Sequence, residues 1–182
     1  MSLYKNRTLQ NVETFIRWKL PAKLRRDLGQ LRIVKEGDLE CATYYHLRRF
    51  VGEDPKWRVF ARLHVSRTGH YIDLLIFRKK CPTIALELKW DQARIGDKDR
   101  RSLNAALKKL GVNQAYWLCV LPSSKKRLKG PWKKLGEKRV LHRVMVRLEP
   151  GTDFEQWKKR RQDYRSKMGL GRGSKLHPTK SL

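Results

Sequence analysis

Cysteine is scarce in this chain, and its three copies, Cys41, Cys81 and Cys119, are odd in number, far apart and without histidines at ligand spacing. That pattern argues against a disulfide framework and against a structural zinc site. Long apolar runs are also missing. No stretch approaches the roughly 18 residues that a membrane-spanning helix needs, and the opening MSLYKNRTLQ lacks an apolar run of signal-peptide length. These shortages lead to the expectation of a soluble, intracellular, cytoplasmic protein with no membrane partner. Acidic residues form the third shortage: 17 Asp and Glu face 44 Lys and Arg, a formal charge of +27. Self-repulsion on that scale is tolerated mainly where a polyanion neutralises it, so nucleic acid is the leading partner. A solvated basic surface, or a ribosome-associated protein, is the plainer alternative.

The 182 residues suit one domain with small appendages. We expect that domain to span 1–168 and the Gly, Ser, Lys and Pro-rich segment 169–182 to be a basic, disordered tail. Leu9, Val12, Phe15, Ile16 and Leu20 recur at helical spacing behind Thr8, with Pro21 expected to end that helix and a second short helix to cover 22–30. A helix over 39–51, capped by Asp38, carries the apolar stripe Leu39, Ala42, Thr43, His46, Leu47 and Phe50 and places Glu40 in its first turn. Three strands follow at 57–65, 70–77 and 83–89, separated by turn-rich SRTG and RKKCP, which predicts an antiparallel meander. Then come a helix over 97–110, a buried strand over 114–121, a basic loop, an alternating strand at 140–148, and a basic helix capped by Thr152 or Asp153. The fold class predicted is α/β, a mixed sheet flanked by helices.

The chemistry concentrates on 83–89. Side chains alternate along a strand, so Thr83, Ala85, Glu87 and Lys89 share one face, with Glu87 and Lys89 about 7 Å apart. A hairpin centred on Lys80 pairs residues whose numbers sum to 160, which sets Asp73 opposite Glu87. Two carboxylates side by side on adjacent strands repel. A divalent cation would remove that penalty, and Mg²⁺ (or Mn²⁺) needs only one or two carboxylates besides water and phosphate oxygens. The alternative is that both acids are surface carboxylates paired with some of the many Lys and Arg residues.

Asp73 followed fourteen positions on by Glu87-Leu88-Lys89 resembles the D…(D/E)xK signature of the PD-(D/E)XK nuclease superfamily. The order helix with Glu, three-strand meander, helix, strand over about 38–121 is similar to that superfamily's core, which implies a restriction-endonuclease-like fold. Ile72 stands where many members have proline, although archaeal-type Holliday junction resolvases also lack it. The resemblance implies that Asp73, Glu87 and the Leu88 carbonyl ligate metal, that Lys89 positions or activates water, and that Glu40 is the first-helix acid. Glu40 could equally serve the helix macrodipole, with Glu36 as its substitute. Size and charge resemble those of the small resolvases, which implies a homodimer acting on branched DNA in recombination or repair. A restriction- or repair-type nuclease on duplex, flap or damaged DNA, and a non-catalytic basic nucleic-acid-binding protein, stand as alternatives.

Phosphate contacts are expected from Arg62, which shares a strand face with His64, and from two basic segments with interleaved aromatics. The first contributes Lys125, Lys126, Arg127, Lys129, Lys133 and Lys134 around Trp132. The second contributes Lys158, Lys159, Arg160 and Arg161 around Trp157, which could stack on a base or pack into the fold. His46, His70, His142 and His177 show no ligand spacing.

Overall fold

Thr8 opens the first helix as its spacing predicts: its hydroxyl accepts from the Asn11 amide at 3.2 Å while the Asn11 side chain accepts from the Thr8 amide at 3.1 Å. In the computed structural model, which describes residues 7–52, 54–65, 70–92, 94–122, 140–148 and 151–169, Pro21 does not end this helix. α1 (Leu9–Thr14) runs through a π-helical turn (Phe15–Lys19) straight into α2 (Leu20–Gly29). The wider turn, closed by the Leu20 amide on the Phe15 carbonyl, comes immediately before the proline. Pro21 therefore sits at the start of the next α-helical stretch, where a missing N–H is tolerated.

α3 (Glu36–Val51) begins earlier than expected, from Lys35. Asp38 lies inside its first turn and accepts from the Val34 amide at 3.0 Å, so it anchors the preceding chain instead of capping the helix. Glu40 consequently moves beyond the first turn, and Glu36 and Asp38 are the acids beside the helix N-terminus.

The strands β1 (Trp57–Val65), β2 (His70–Arg78), β3 (Cys81–Trp90), β4 (Gln114–Val120) and β5 (Val140–Val146) form one sheet in sequence order. β1, β2 and β3 are an antiparallel meander, while β4 and β5 run parallel to β3. Two registers meet between β2 and β3. Arg78 pairs with Cys81 around a two-residue turn, yet Leu74, Leu75 and Ile76 pair with Leu86, Ala85 and Ile84, the sum of 160 expected. A bulge near Thr83 reconciles the two. The Thr83 hydroxyl takes the Arg78 amide at 3.2 Å and donates to the Cys81 carbonyl at 2.9 Å, satisfying groups that the irregularity removes from the ladder.

Helices cover both faces. α1, the π-helical turn, α2 and α3 bury Val12, Ile16, Leu20, Leu24, Leu39 and Leu47 against Leu74, Ile76, Leu86, Leu88, Tyr116 and Leu118. α4 (Asp97–Ala105) and a second π-helical turn (Ala106–Leu110) bury Leu103, Ala106 and Leu107 against Leu75, Ala85, Trp117 and Cys119 on the other face. β4, buried from Ala115 to Val120, lies between the two layers, as a central parallel strand should. Each fully buried Leu or Ile contributes about 1.5–3 kcal/mol relative to exposure. α5 (Phe154–Lys167) starts from Asp153, whose carboxylate accepts from the Glu155 and Gln156 amides. Trp157 is buried and donates from Nε1 to the Leu28 carbonyl at 3.0 Å, so it packs into the fold and does not face a ligand. All three cysteines are free thiols. Among the described residues no helix is long and apolar enough to cross a membrane.

Candidate active site

β3 delivers Glu87 and Lys89 to the α4 face, one of them nearly sealed and the other half-buried. Glu87 retains 6% exposure, and its Oε1 lies 3.5 Å from Lys89 Nζ. Lys89 Nζ also stands 3.6 Å from Glu36 Oε1 at the start of α3 and 3.6 Å from Asp99 Oδ1 in the first turn of α4. Glu36 is held in turn, for its Oε2 accepts the Trp90 amide at 3.3 Å. One ammonium thus gathers acids from β3, α3 and α4.

Asp73 reaches the same place from β2. The β2–β3 ladder ends at Leu74–Leu86, one position short of Asp73 and Glu87, and the Asp73 carboxylate takes over by accepting the Leu88 amide at 2.7 Å. Because a strand residue's N–H and C=O point to the same side, the Leu88 carbonyl is also turned toward β2. Strict alternation fails at this point. Leu74 packs in the α3 layer whereas Ile72, two residues away, packs in the α4 layer, and Arg62 on the neighbouring strand adopts a left-handed φ of 50°. A break of this kind re-aims a side chain at the expense of local ladder order.

Glu40 does not join Lys89. Its carboxylate grips Arg62 in a forked pair, Nε at 3.0 Å and Nη2 at 2.9 Å, and it contributes a negative field at Asp73. Of these two first-helix acids, Glu36 touches Lys89 and Glu40 is the outer one, tied to the guanidinium.

Burial and mutual repulsion decide the protonation of this cluster. Burial first, then the negative charge of Asp73, pushes the Glu87 carboxyl up to about 8, against a weaker pull from Lys89. Asp73 is also raised, chiefly by burial, with the Leu88 amide and Lys89 opposing. For Lys89 burial is the largest single influence and favours the neutral amine, but Glu87, Asp99, Glu36 and Asp73 together outweigh it and raise its pKa. Lys89 is therefore a fixed cation at neutral pH.

Asp99 is a member that sequence reasoning misses. Its only signal is an acid in the first turn of a helix, a placement common enough to be explained by the macrodipole alone.

The expected phosphate contacts divide. Arg62 is exposed, at the rim beside Glu40 and Asp73. Lys158, Lys159 and Arg160 project from α5 into solvent. Arg161 is used otherwise: Nε donates to the Val34 carbonyl at 2.9 Å, and the guanidinium lies 4.9 Å from the Trp90 ring and 5.8 Å from that of Trp157. It fastens α5 to the end of β3 and the start of α3. Lys125, Lys126, Arg127, Lys129, Trp132, Lys133 and Lys134, together with the tail beyond Gly169, lie outside the described residues.

No protein-family model, curated protein or solved structure matches this chain. The chemistry of the site itself therefore decides what it can hold. Among the described residues no three His, Cys, Asp or Glu side chains form a ready-made metal cage. The donors nevertheless fit Mg²⁺, which takes one or two carboxylates and leaves its other positions to water and phosphate. Glu87 Oε2 is buried without a hydrogen-bond partner, a costly state for a carboxylate oxygen that a cation would relieve.

Proposed function

We propose that this chain is a Mg²⁺- or Mn²⁺-dependent nuclease of the PD-(D/E)XK type that hydrolyses phosphodiester bonds in DNA. One observation carries the reading: in a chain of charge +27, five of the 17 acidic residues, Glu36, Glu40, Asp73, Glu87 and Asp99, converge around Lys89 and Arg62. A basic protein selected only to bind polyanions would keep carboxylates away from its ligand, since each one repels phosphate. A mixed sheet flanked by helices, with Asp73 within β2 and Glu87 near the end of β3, supports a restriction-endonuclease-like core.

Asp73, Glu87 and the Leu88 carbonyl would hold the cation. When bound, such a cation supplies a lowered pKa for water and offsets charge developing on phosphate. Lys89, a compact point charge, can donate to a water or a non-bridging phosphate oxygen, while Glu36 and Asp99 keep its ammonium in place. Arg62 and the α5 cations would receive the flanking backbone.

Branched DNA cut by a homodimer is the substrate form that the resemblance to the small resolvases implies. The test compares four-way junction, linear duplex and single strand, each with and without Mg²⁺, using wild type, Asp73→Ala and Glu87→Ala. Metal-dependent cuts by wild type, abolished in both variants while binding persists, support the nuclease. Paired cuts on opposing junction strands by a sedimenting dimer support the resolvase form. The pairing of Lys89 with three acids favours one second reading, a non-catalytic nucleic-acid-binding protein in which this cluster only clamps β3 to α3 and α4. Binding without cleavage of any substrate would select it.

A further inference from the structure

A second feature lies over β1 and β2, running from Leu63, which pairs with Ile72 beside Asp73, to the Lys79–Lys80 turn. There a cleft of about 460 Å³ opens over Phe60, Leu63 and Phe77. Phe60 is 40% exposed, large for an aromatic on a strand, and meets Phe77 edge to face at 5.2 Å. Lys56, Arg58, Lys79 and Lys80 form the rim, and none of the described lining residues is acidic. The rim is built: Lys79, in left-handed conformation at φ 58°, donates its amide to the Lys56 carbonyl and so holds the hairpin tip against the start of β1.

We propose that this cleft docks unpaired nucleotides of a nucleic-acid strand, a base lying on the Phe60–Phe77 floor and its phosphates between the rim cations. A flat apolar face joined to negative charge is what an aromatic floor edged by these cations complements. Stacking on aromatics with backbone neutralisation is how single strands are held without sequence preference. The position suits a strand that continues from the acid cluster. Phe77 lies four residues beyond Asp73 on β2, about 13 Å at about 3.3 Å per residue, a span that a few nucleotides cover. The cleft would then hold an unpaired arm while the neighbouring duplex meets the acids. This inference rests on the nucleic-acid reading above, but it needs no catalysis.

The test is binding in EDTA at about 0.15 M salt, with a 12-nucleotide single strand carrying 2-aminopurine and a blunt duplex of the same length. Wild type is compared with Phe60→Ala and with Phe60→Leu, which keeps an apolar floor but removes the ring, and thermal unfolding confirms that each variant is folded. The expected result is quenching of 2-aminopurine by wild type, and in both variants an absent quench and about tenfold weaker single-strand affinity, with duplex affinity nearly unchanged. Lys79→Ala with Lys80→Ala should weaken the single strand and reduce the salt dependence of its binding. Equal weakening on both ligands, or none on either, overturns the proposal while leaving the nuclease reading intact. A dimer that dissociates on Phe60→Ala with single-strand binding unchanged assigns the cleft to a second copy and overturns it too. Wild type that binds neither ligand removes the nucleic-acid reading itself, and this inference with it.

Discussion

The Leu88 amide donates to the Asp73 carboxylate at 2.7 Å, so the first acid of the site is held by the backbone of the strand that supplies the second. One consequence concerns asparagine. In Asp73→Asn the side-chain carbonyl can still accept from Leu88 and preserve the strand junction, whereas Asp73→Ala leaves that amide unpaired at about 1–3 kcal/mol. Both variants should lose metal-dependent cleavage. Only Asp73→Ala should also lower the melting temperature, and equal melting of the two would mean that this bond carries no stability.

Glu87 gives the protein an unusual dependence of stability on pH. Its folded pKa, about 8, lies above the ordinary value, so the folded state binds the proton more tightly than the unfolded chain does. This contribution is therefore complete below the ordinary glutamate range and fades as pH rises toward about 8. Without divalent cations, wild type should melt progressively lower across that window, and Glu87→Gln should flatten the fall and melt higher at pH 8. Parallel curves would show that Glu87 is ordinary.

Metal should reverse that trend. Cation binding requires the deprotonated carboxylates, so Mg²⁺ should raise the melting temperature more at pH 8 than at pH 5, through its preference for the folded state. For the same reason the midpoint of the cleavage-rate profile should move to lower pH as Mg²⁺ increases. A midpoint indifferent to Mg²⁺ would separate Glu87 from the cation.

Lys89→Ala should lower turnover about 10²–10³-fold, the range for removing one preorganised electrostatic donor, with the Mg²⁺ requirement little changed. Asp99→Asn should act through Lys89, lowering turnover by a smaller factor without weakening DNA binding. If Asp99→Asn instead changed affinity and left turnover alone, its place would be at the DNA surface.

The α5 cations can be sorted by salt. Replacing Lys158, Lys159 and Arg160 by Ala should make the plot of log affinity against log salt shallower, by up to about 0.9 for each phosphate that is no longer neutralised. Arg161→Ala should mainly lower the melting temperature, because its guanidinium bridges Val34, Trp90 and Trp157. A large change of slope for Arg161→Ala would show that it reaches DNA after all.

The meander of β1, β2 and β3, the shared face of Glu87 and Lys89, and the proximity of Asp73 were legible because side-chain alternation and hairpin arithmetic are local rules. The hairpin sum of 160 held for Leu74 with Leu86, but by another route, a tight turn corrected by a bulge at Thr83. What long-range packing decides was not legible. Asp99 meets Lys89 only because α4 crosses back over β3, and Arg161 became a fastener only because α5 docks beside Trp90. Pro21 misled because a π-helical turn can absorb a missing donor, a device with no plain signature. The start of α3 at Glu36, instead of beyond Asp38, exchanged the roles expected of Glu36 and Glu40.

The bulge near Thr83 has an evolutionary corollary. Between Asp73 and Glu87 what matters is parity: lengthening or shortening the segment by one residue turns Glu87 and Lys89 to the α3 side and Leu88 toward α4, dismantling the site without altering any member of it. Two residues, or a second bulge, restore it. Sequences descended from a common ancestor of this chain should therefore tolerate paired length changes at the Lys79–Lys80 hairpin, and single ones only where a compensating irregularity arises beside them.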